Sequence, residues 1–103
     1  MDEILNLGGL GQQPVQFITG QVVATPGALR LLEQHEILPT QLIARHVQGD
    51  FGIVPEEDAD SNRSAIKHGR ARILSSYQVG ADRVWLITEW DRSVTTILLP
   101  DEY

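Results

Sequence analysis

The sequence contains no cysteine, and that absence excludes disulfide bonds, zinc–thiolate sites and thiol nucleophiles. Basic residues are also scarce, since eight lysines and arginines stand against fourteen acids and give a formal net charge of −6. A uniformly basic nucleic-acid binder is therefore disfavoured, because neutralising phosphates requires an excess of lysine and arginine. Nucleic acid as a partner would need a local basic patch.

Long apolar runs are missing too. No run approaches the roughly 20 residues of a membrane-spanning helix, and the acidic start Met1–Leu5 lacks the basic and apolar regions of a signal peptide. We therefore expect a cytoplasmic protein with no membrane association. The length of 103 residues, with 42% hydrophobic and 21% charged residues, is typical of one globular domain. Clustered glycines predict a weakly ordered lead over residues 1–14, so residues 15–103 are expected to form that domain.

Proline opens each of three predicted helices, because its fixed backbone angle and missing N–H suit the first helical turn. The helices are predicted from Pro26 to about Glu36, from Pro39 to Gly49 and from Pro55 to Gly69. Thr25 is a suitable cap for the first helix. The third helix has only a thin apolar stripe, so it is expected to be mostly solvated and to pack along a narrow edge.

From Arg70 onward the apolar residues alternate, which is typical of β-strands. Strands are predicted over Arg72–Val79, Arg83–Glu89 and Ser93–Leu99 as an antiparallel meander, and the extended segment 15–24 is expected to add a fourth. The predicted fold is therefore α+β, with about three helices packed on one face of a three- to four-stranded antiparallel sheet. Its expected core comprises Leu31, Leu32, Leu42, Ile43, Val47, Ile73, Val84, Leu86, Ile97 and Leu99.

Three stretches carry a resemblance to a known family. They are Val23–Leu29 (VATPGAL), Leu42–Asp50 (LIARHVQGD) and Ile87–Pro100 (ITEWDRSVTTILLP), in this order. Over roughly residues 15–103 the chain resembles a small bacterial family of hypothetical plasmid, phage and integrative-element proteins, some labelled type I restriction endonuclease subunit M. The resemblance implies a mobile-genetic-element context. Where members have alanine before the Asp-Arg pair, this chain has Trp90.

The residues do not support the modification-subunit label carried by some members of that family. Such a subunit needs an S-adenosylmethionine fold and an Asn-Pro-Pro-aromatic motif for the flipped adenine. The chain has no such motif and is too short for that fold. The resemblance therefore implies a context and little chemistry.

Three histidines, His35, His46 and His68, are the only ones in the chain, and two lie on predicted apolar helix faces. A single histidine on such a face is more often a core or boundary residue than a ligand. A metal site would need convergent ligands such as His46, Asp50 and a further carboxylate, and Gly49 ends the helix between the first two. The sequence therefore predicts no metal site and no cofactor.

Charges on the third predicted helix are segregated. The acids Glu56, Glu57, Asp58 and Asp60 come first, and the cations Arg63, Lys67, Arg70 and Arg72 follow. One interpretation is that acids near the N-terminus and cations near the C-terminus complement the helix dipole, with ion pairs such as Asp60–Arg63 adding surface attraction. The other is a local basic patch that meets phosphate.

Two further functions stay open as alternatives. Helices followed by an antiparallel sheet look like the layout of small endoribonucleases of the barnase and RelE-like type, although no catalytic motif of that group matches. Candidate residues for that activity are His68, Arg72, Ser75, Tyr77, Glu89, Arg92 and Thr96. The second alternative is an inhibitor whose carboxylates mimic nucleic acid, as in anti-restriction and anti-CRISPR proteins.

The segment Glu89-Trp90-Asp91-Arg92 is the strongest candidate for a partner-binding site. With Trp90 and Asp91 at a hairpin tip, Glu89 and Arg92 would lie opposite each other, and Asp91 can bond its own backbone. An indole at a turn tip is poorly placed for burial, and aromatic side chains are frequent binding anchors. We therefore expect a non-enzymatic, cytoplasmic accessory protein of a mobile element that binds a host or defence-related protein.

Overall fold

The computed structural model describes residues 14–103. Its elements in chain order are β1 (Gln21–Ala24), α1 (Pro26–Gln34), α2 (Pro39–Val47), α3 (Glu56–His68), β2 (Ile73–Val79), β3 (Asp82–Thr88), β4 (Val94–Leu98) and a 3-10 turn (Pro100–Glu102). The α+β class predicted from the sequence is confirmed. The predicted weakly ordered lead falls outside the described residues, apart from Pro14. No helix in the described range is long and apolar enough to cross a membrane.

Helices α1 and α2 begin at the predicted prolines, whereas α3 begins at Glu56, one residue after Pro55, which is its cap residue and not part of its first turn. The Thr25 hydroxyl accepts a hydrogen bond from the Ala28 amide at 3.1 Å and so caps α1. Helix α1 ends before Glu36, because that residue takes a left-handed conformation with φ of 56° that no helix continues. Gly69 takes the same left-handed conformation at the end of α3, as expected of a C-terminal glycine.

The four strands form one sheet in the order β1-β4-β3-β2. The predicted meander is present, with β2, β3 and β4 antiparallel. The fourth strand differs from the expectation, since β1 runs parallel to β4 and spans only Gln21–Ala24. Gly20 stops it from starting earlier, because a Cβ there would lie 2.3 Å from the Ser93 backbone and its φ is 62°.

The core lies between the inner face of the sheet and the helices. All the predicted core residues are buried except Leu99, which follows β4 and is only partly buried. On β3 the inner face carries Val84, Leu86 and Thr88, and the outer face carries Trp85 and Ile87. Because side chains alternate along each strand, these positions define the two faces across the whole sheet.

Helix α3 lies along the edge formed by β2. The Asn62 amide donates to the Leu74 carbonyl at 2.7 Å and accepts from the Leu74 N–H at 3.0 Å. The segment Phe51–Ile53 forms a strap beside β2 that bonds Ser76, the next outward-facing residue of this strand. The Ser76 N–H donates to the Phe51 carbonyl, and the Ile53 N–H donates to the Ser76 carbonyl. The β2 edge is therefore bonded by the chain itself at Leu74 and Ser76.

Candidate partner-binding site

The β3–β4 connection is a tight turn with a fixed backbone. The Arg92 N–H donates to the Glu89 carbonyl at 2.9 Å, and the Glu89 N–H donates to the Val94 carbonyl at 3.0 Å. Arg92 has φ of 60°, the left-handed residue that follows a type I turn in hairpins of this length. Asp91 accepts from the Ser93 N–H at 3.1 Å and from the Ser93 hydroxyl at 2.6 Å, and these bonds lower its pKa.

The Arg92 guanidinium fastens this turn to the end of α3. Nη1 donates to the carbonyls of Ala71 (2.7 Å), Glu89 (3.1 Å) and Trp90 (3.1 Å), and Nη2 donates to the Ala65 carbonyl at 3.0 Å. Arg92 therefore bonds the main-chain carbonyl of Glu89 and not its carboxylate. The expected Glu89–Arg92 ion pair is absent from the ion pairs of the described residues. Arg92 supports the turn, with both of its Nη groups donating to main-chain carbonyls.

Trp90 is left exposed by this arrangement. Its side chain is 61% accessible, whereas Trp85 on the outer sheet face is partly buried. The backbone beneath Trp90 is held at both ends, because Glu89 and Arg92 make the closing turn and Arg92 also bonds the Trp90 carbonyl. The structure therefore presents an indole ring to solvent on a fixed support.

A groove of about 400 Å³ lies on the outer sheet face beside α3. Its lining consists of Asp58, Ser61, Asn62, Arg72, Leu74, Trp85, Ile87 and Tyr103. The Tyr103 ring packs edge-on to Trp85 with 5.8 Å between ring centres, and the Arg72 guanidinium lies 5.5 Å from the Tyr103 ring centre. Since Arg72 follows Ala71, whose carbonyl bonds Arg92, the groove and the hairpin tip share one chain segment.

The four cations of the proposed basic patch have different neighbours. Arg63 forms ion pairs with Glu56 at 2.8 Å and with Asp60, so the expected Asp60–Arg63 pair is present. Arg72 lies against Tyr103 in the groove. Lys67 and Arg70 are exposed and form no ion pair within residues 14–103. Two of the four cations are therefore already engaged within the molecule.

His46 is completely buried and lies at the centre of a polar chain on the inner sheet face. Its Nδ1 lies 2.6 Å from the Ser75 hydroxyl and its Nε2 lies 2.9 Å from the Thr88 hydroxyl. Thr88 in turn contacts Thr95 at 2.6 Å, and Thr95 donates to the Thr19 carbonyl at 2.8 Å.

The carbonyl at the end of this chain fixes the direction of every bond. Because a carbonyl only accepts, Thr95 donates to it, Thr88 donates to Thr95, and His46 donates to Thr88 from Nε2. Nδ1 then accepts from the Ser75 hydroxyl, which is the pattern of a neutral imidazole. Burial lowers the His46 pKa to about 3 and keeps the ring neutral. His46 therefore has an interior structural role, with both nitrogens occupied.

The candidate nuclease residues are not brought together as one set, although Arg92 bonds the carbonyls of Ala65 and Ala71 on either side of His68. Ser75 and Tyr77 lie on the buried inner face, where the Tyr77 hydroxyl donates to the Asp50 carbonyl at 2.6 Å. Thr96 lies on the outer face, and His68 is exposed at the end of α3. Within the part of the chain that the structure describes, no group of three histidines and carboxylates could hold a metal ion.

Sequence reasoning found the hairpin tip and missed the groove. The sequence predicts Trp85 and Ile87 on a strand, but Tyr103 lies beyond the last predicted strand, where no pattern places it. Comparison of the chain with protein-family models, with curated proteins and with solved structures gives no match. The site residues themselves are therefore the basis for assigning a function.

Proposed function

We propose that this chain is a small acidic accessory protein that binds another protein and carries out no catalysis of its own. The observation that supports this proposal is the exposed indole of Trp90 on a turn fastened by Arg92. The resemblance over residues 15–103 favours a mobile-genetic-element context. We accordingly place the protein in the cytoplasm and its partner among host or defence-related proteins.

The hairpin tip has two properties of a binding anchor. An aromatic side chain that is exposed in the free protein gains much of its binding energy when a partner pocket buries it. The fixed turn adds to this, because a segment ordered before binding loses less conformational entropy on association. Binding through Trp90 therefore requires little rearrangement of this chain.

Charge around the tip defines the kind of surface that the partner should offer. The Glu89 and Asp91 carboxylates flank Trp90 in sequence, while the Arg92 guanidinium is turned inward to main-chain carbonyls. The tip therefore presents an apolar ring with negative charge beside it. We propose a partner with an apolar pocket rimmed by lysine or arginine, since opposite charges at the rim favour encounter.

The test compares Trp90→Ala with a matched control. Trp90→Ala is expected to keep the thermal midpoint within a few degrees, because surface substitutions have small effects on stability. It should weaken capture of the partner, identified by mass spectrometry after a pull-down from the host, at least tenfold, or about 1.4 kcal/mol. Leu38→Ala removes another exposed apolar side chain, 64% accessible at the start of α2, and should leave capture unchanged.

A collapse of the midpoint in Trp90→Ala would show that the indole supports the fold. Equal loss of capture in both variants would show that exposed apolar area in general, and not the hairpin tip, holds the partner. Either result rejects the tip as the binding site.

The proposal also predicts that the protein lacks ribonuclease activity, because Ser75 is buried on the inner sheet face whereas Thr96 lies on the outer face and His68 is exposed at the end of α3. Incubation of the purified chain with single-stranded RNA and with tRNA should leave both intact. Cleavage that disappears in a His68→Ala variant would overturn the proposal and support the endoribonuclease alternative.

A further inference from the structure

The two edges of the sheet are treated differently by the chain. The β2 edge is bonded by Asn62 and by the Phe51–Ile53 strap, so its outward main-chain groups at Leu74 and Ser76 are satisfied. Exposed edges that lack such cover are templates for pairing with another strand. The opposite edge of the sheet is β1.

The register of β1 shows which of its groups point outward. Gln21 donates to the Ser93 carbonyl at 3.0 Å and Thr25 donates to the Ile97 carbonyl at 2.9 Å. Because main-chain groups alternate in direction along a strand, Val22 and Ala24 point their N–H and C=O groups away from β4. Neither residue forms a hydrogen bond on that side within residues 14–103.

The β1 edge also lacks the features that usually prevent strand pairing. No charged residue occurs between Glu3 and Arg30, so the strand carries neither lysine nor any other charge, and it contains no proline. Val23 on the outer face is 40% exposed. Ile18, before the strand, is 69% exposed, and Leu29, after it, is 45% exposed. Both add exposed apolar side chains close to β1 in the sequence.

We propose that β1 pairs antiparallel with β1 of a second copy of this chain and joins two four-stranded sheets into one. An antiparallel edge is self-complementary, because a two-fold axis sets each outward donor opposite an outward acceptor. Charge favours this place for contact between identical copies. Each copy carries a net charge of −6, and the uncharged stretch around β1 lets two such chains approach with the least repulsion.

The dimer should be weak and dependent on concentration. A strand of four residues offers few hydrogen bonds, and stable interfaces bury about 1,600 Å² in total. Sedimentation velocity of the full chain is expected to show a shift from 11.4 kDa toward twice that mass as concentration rises. Amide exchange of Val22 and Ala24 should slow over the same concentration range.

Two variants and a control test the interface. Val22→Pro removes an outward donor and spares the β4 ladder, because the Val22 N–H does not bond β4. Val23→Lys keeps the strand and sets like charges across the two-fold axis. Each should weaken dimerisation at least tenfold, or about 1.4 kcal/mol. Leu38→Lys makes the same change at an exposed site on α2 and should dimerise as the parent does.

Circular dichroism melts establish that each variant is folded, and Val23→Lys keeps the test decisive if Val22→Pro unfolds. A chain that stays monomeric at every concentration overturns the proposal. So does equal weakening by Leu38→Lys, which would show a general charge effect. Protection of the Val22 and Ala24 amides at all concentrations would show that the edge is covered within one molecule, which also excludes this dimer.

Discussion

The imidazole of His46 is buried without charge, and the hydroxyls around it satisfy both of its ring nitrogens. Ser75 donates to one ring nitrogen and Thr88 accepts from the other, so the ring needs no water. Phe17 closes the site, with its ring edge-on to the imidazole at 5.0 Å between centres. A proton added to this ring would place a charge in the buried interior of the protein.

That burial predicts a loss of stability in mild acid. The folded-state pKa of His46 is lowered to about 3, whereas an unfolded histidine titrates near 6.5. Below pH 6.5 the unfolded chain therefore binds a proton that the folded chain does not. The free energy of unfolding has its full value above that pH. Below it, this free energy falls by up to about 1.4 kcal/mol per pH unit, or about 2 kcal/mol by pH 5. Urea unfolding at pH 7 and pH 5 measures this difference.

Substitution identifies the group responsible. His46→Gln should be less stable than the parent at pH 7, because its amide fits the two hydroxyls imperfectly, but it should lose much less stability between pH 7 and pH 5. His68→Gln, at an exposed site, should retain the parent's slope. A parent chain equally stable at both pH values would contradict the neutral, buried ring. Carboxylates with a lowered pKa, such as Asp50, lose their contribution only at lower pH.

At the scale of elements, the Asn62 amide takes the place of a neighbouring strand at Leu74. Asn62 on α3 offers the Leu74 backbone the same donor and acceptor that a neighbouring strand would offer. This contact joins α3 to the sheet, although the helix buries few other side chains, Ala59 and Ala65 among them. The helix therefore depends on a polar contact where α1 and α2 depend on leucine, isoleucine and valine.

Asn62→Ala is accordingly expected to destabilise the protein by about 1–3 kcal/mol, because it leaves the part-buried Leu74 N–H and C=O without their partners in the protein. Ser76→Ala is the matched control on the same strand. The Ser76 hydroxyl is a buried group with no hydrogen-bond partner within the described residues, so its removal should cost little or increase stability. Chemical denaturation of both variants measures the contrast, and equal losses would contradict it.

Elements were predictable where local chemistry decides them. Proline at the helix starts, glycine at the end of α3 and alternation along β2 to β4 each depend on a few neighbouring residues. Asp91 was predictable in the same way, since its bonds reach only to Ser93. The direction of β1 was not, because its partner β4 lies about 70 residues away and either orientation satisfies the same alternation.

Side-chain roles that depend on distant contacts were also beyond the sequence. The sequence predicts that Arg92 faces the Glu89 carboxylate. Its guanidinium instead bonds the main-chain carbonyl of Ala65 on α3 and that of Ala71 after the helix. The sequence does not indicate the interior role of the Ser75, Thr88 and Thr95 hydroxyls, because serine and threonine in strands are common on either face. Only the folded sheet places them beside His46.

At the scale of the whole molecule, the parallel pairing of β1 with β4 determines how the chain responds to a pulling force. The two strands run in the same direction, so their beginnings lie at one end of the pair. A pull on the segment before β1 and on the segment after β4 draws them past each other along their length. All their hydrogen bonds are then loaded together in shear, whereas the hairpin bonds between β3 and β4 would open one after another if pulled apart at their ends. When the domain is stretched between Gln21 and Leu98, we expect the β1–β4 pair to separate in a single step.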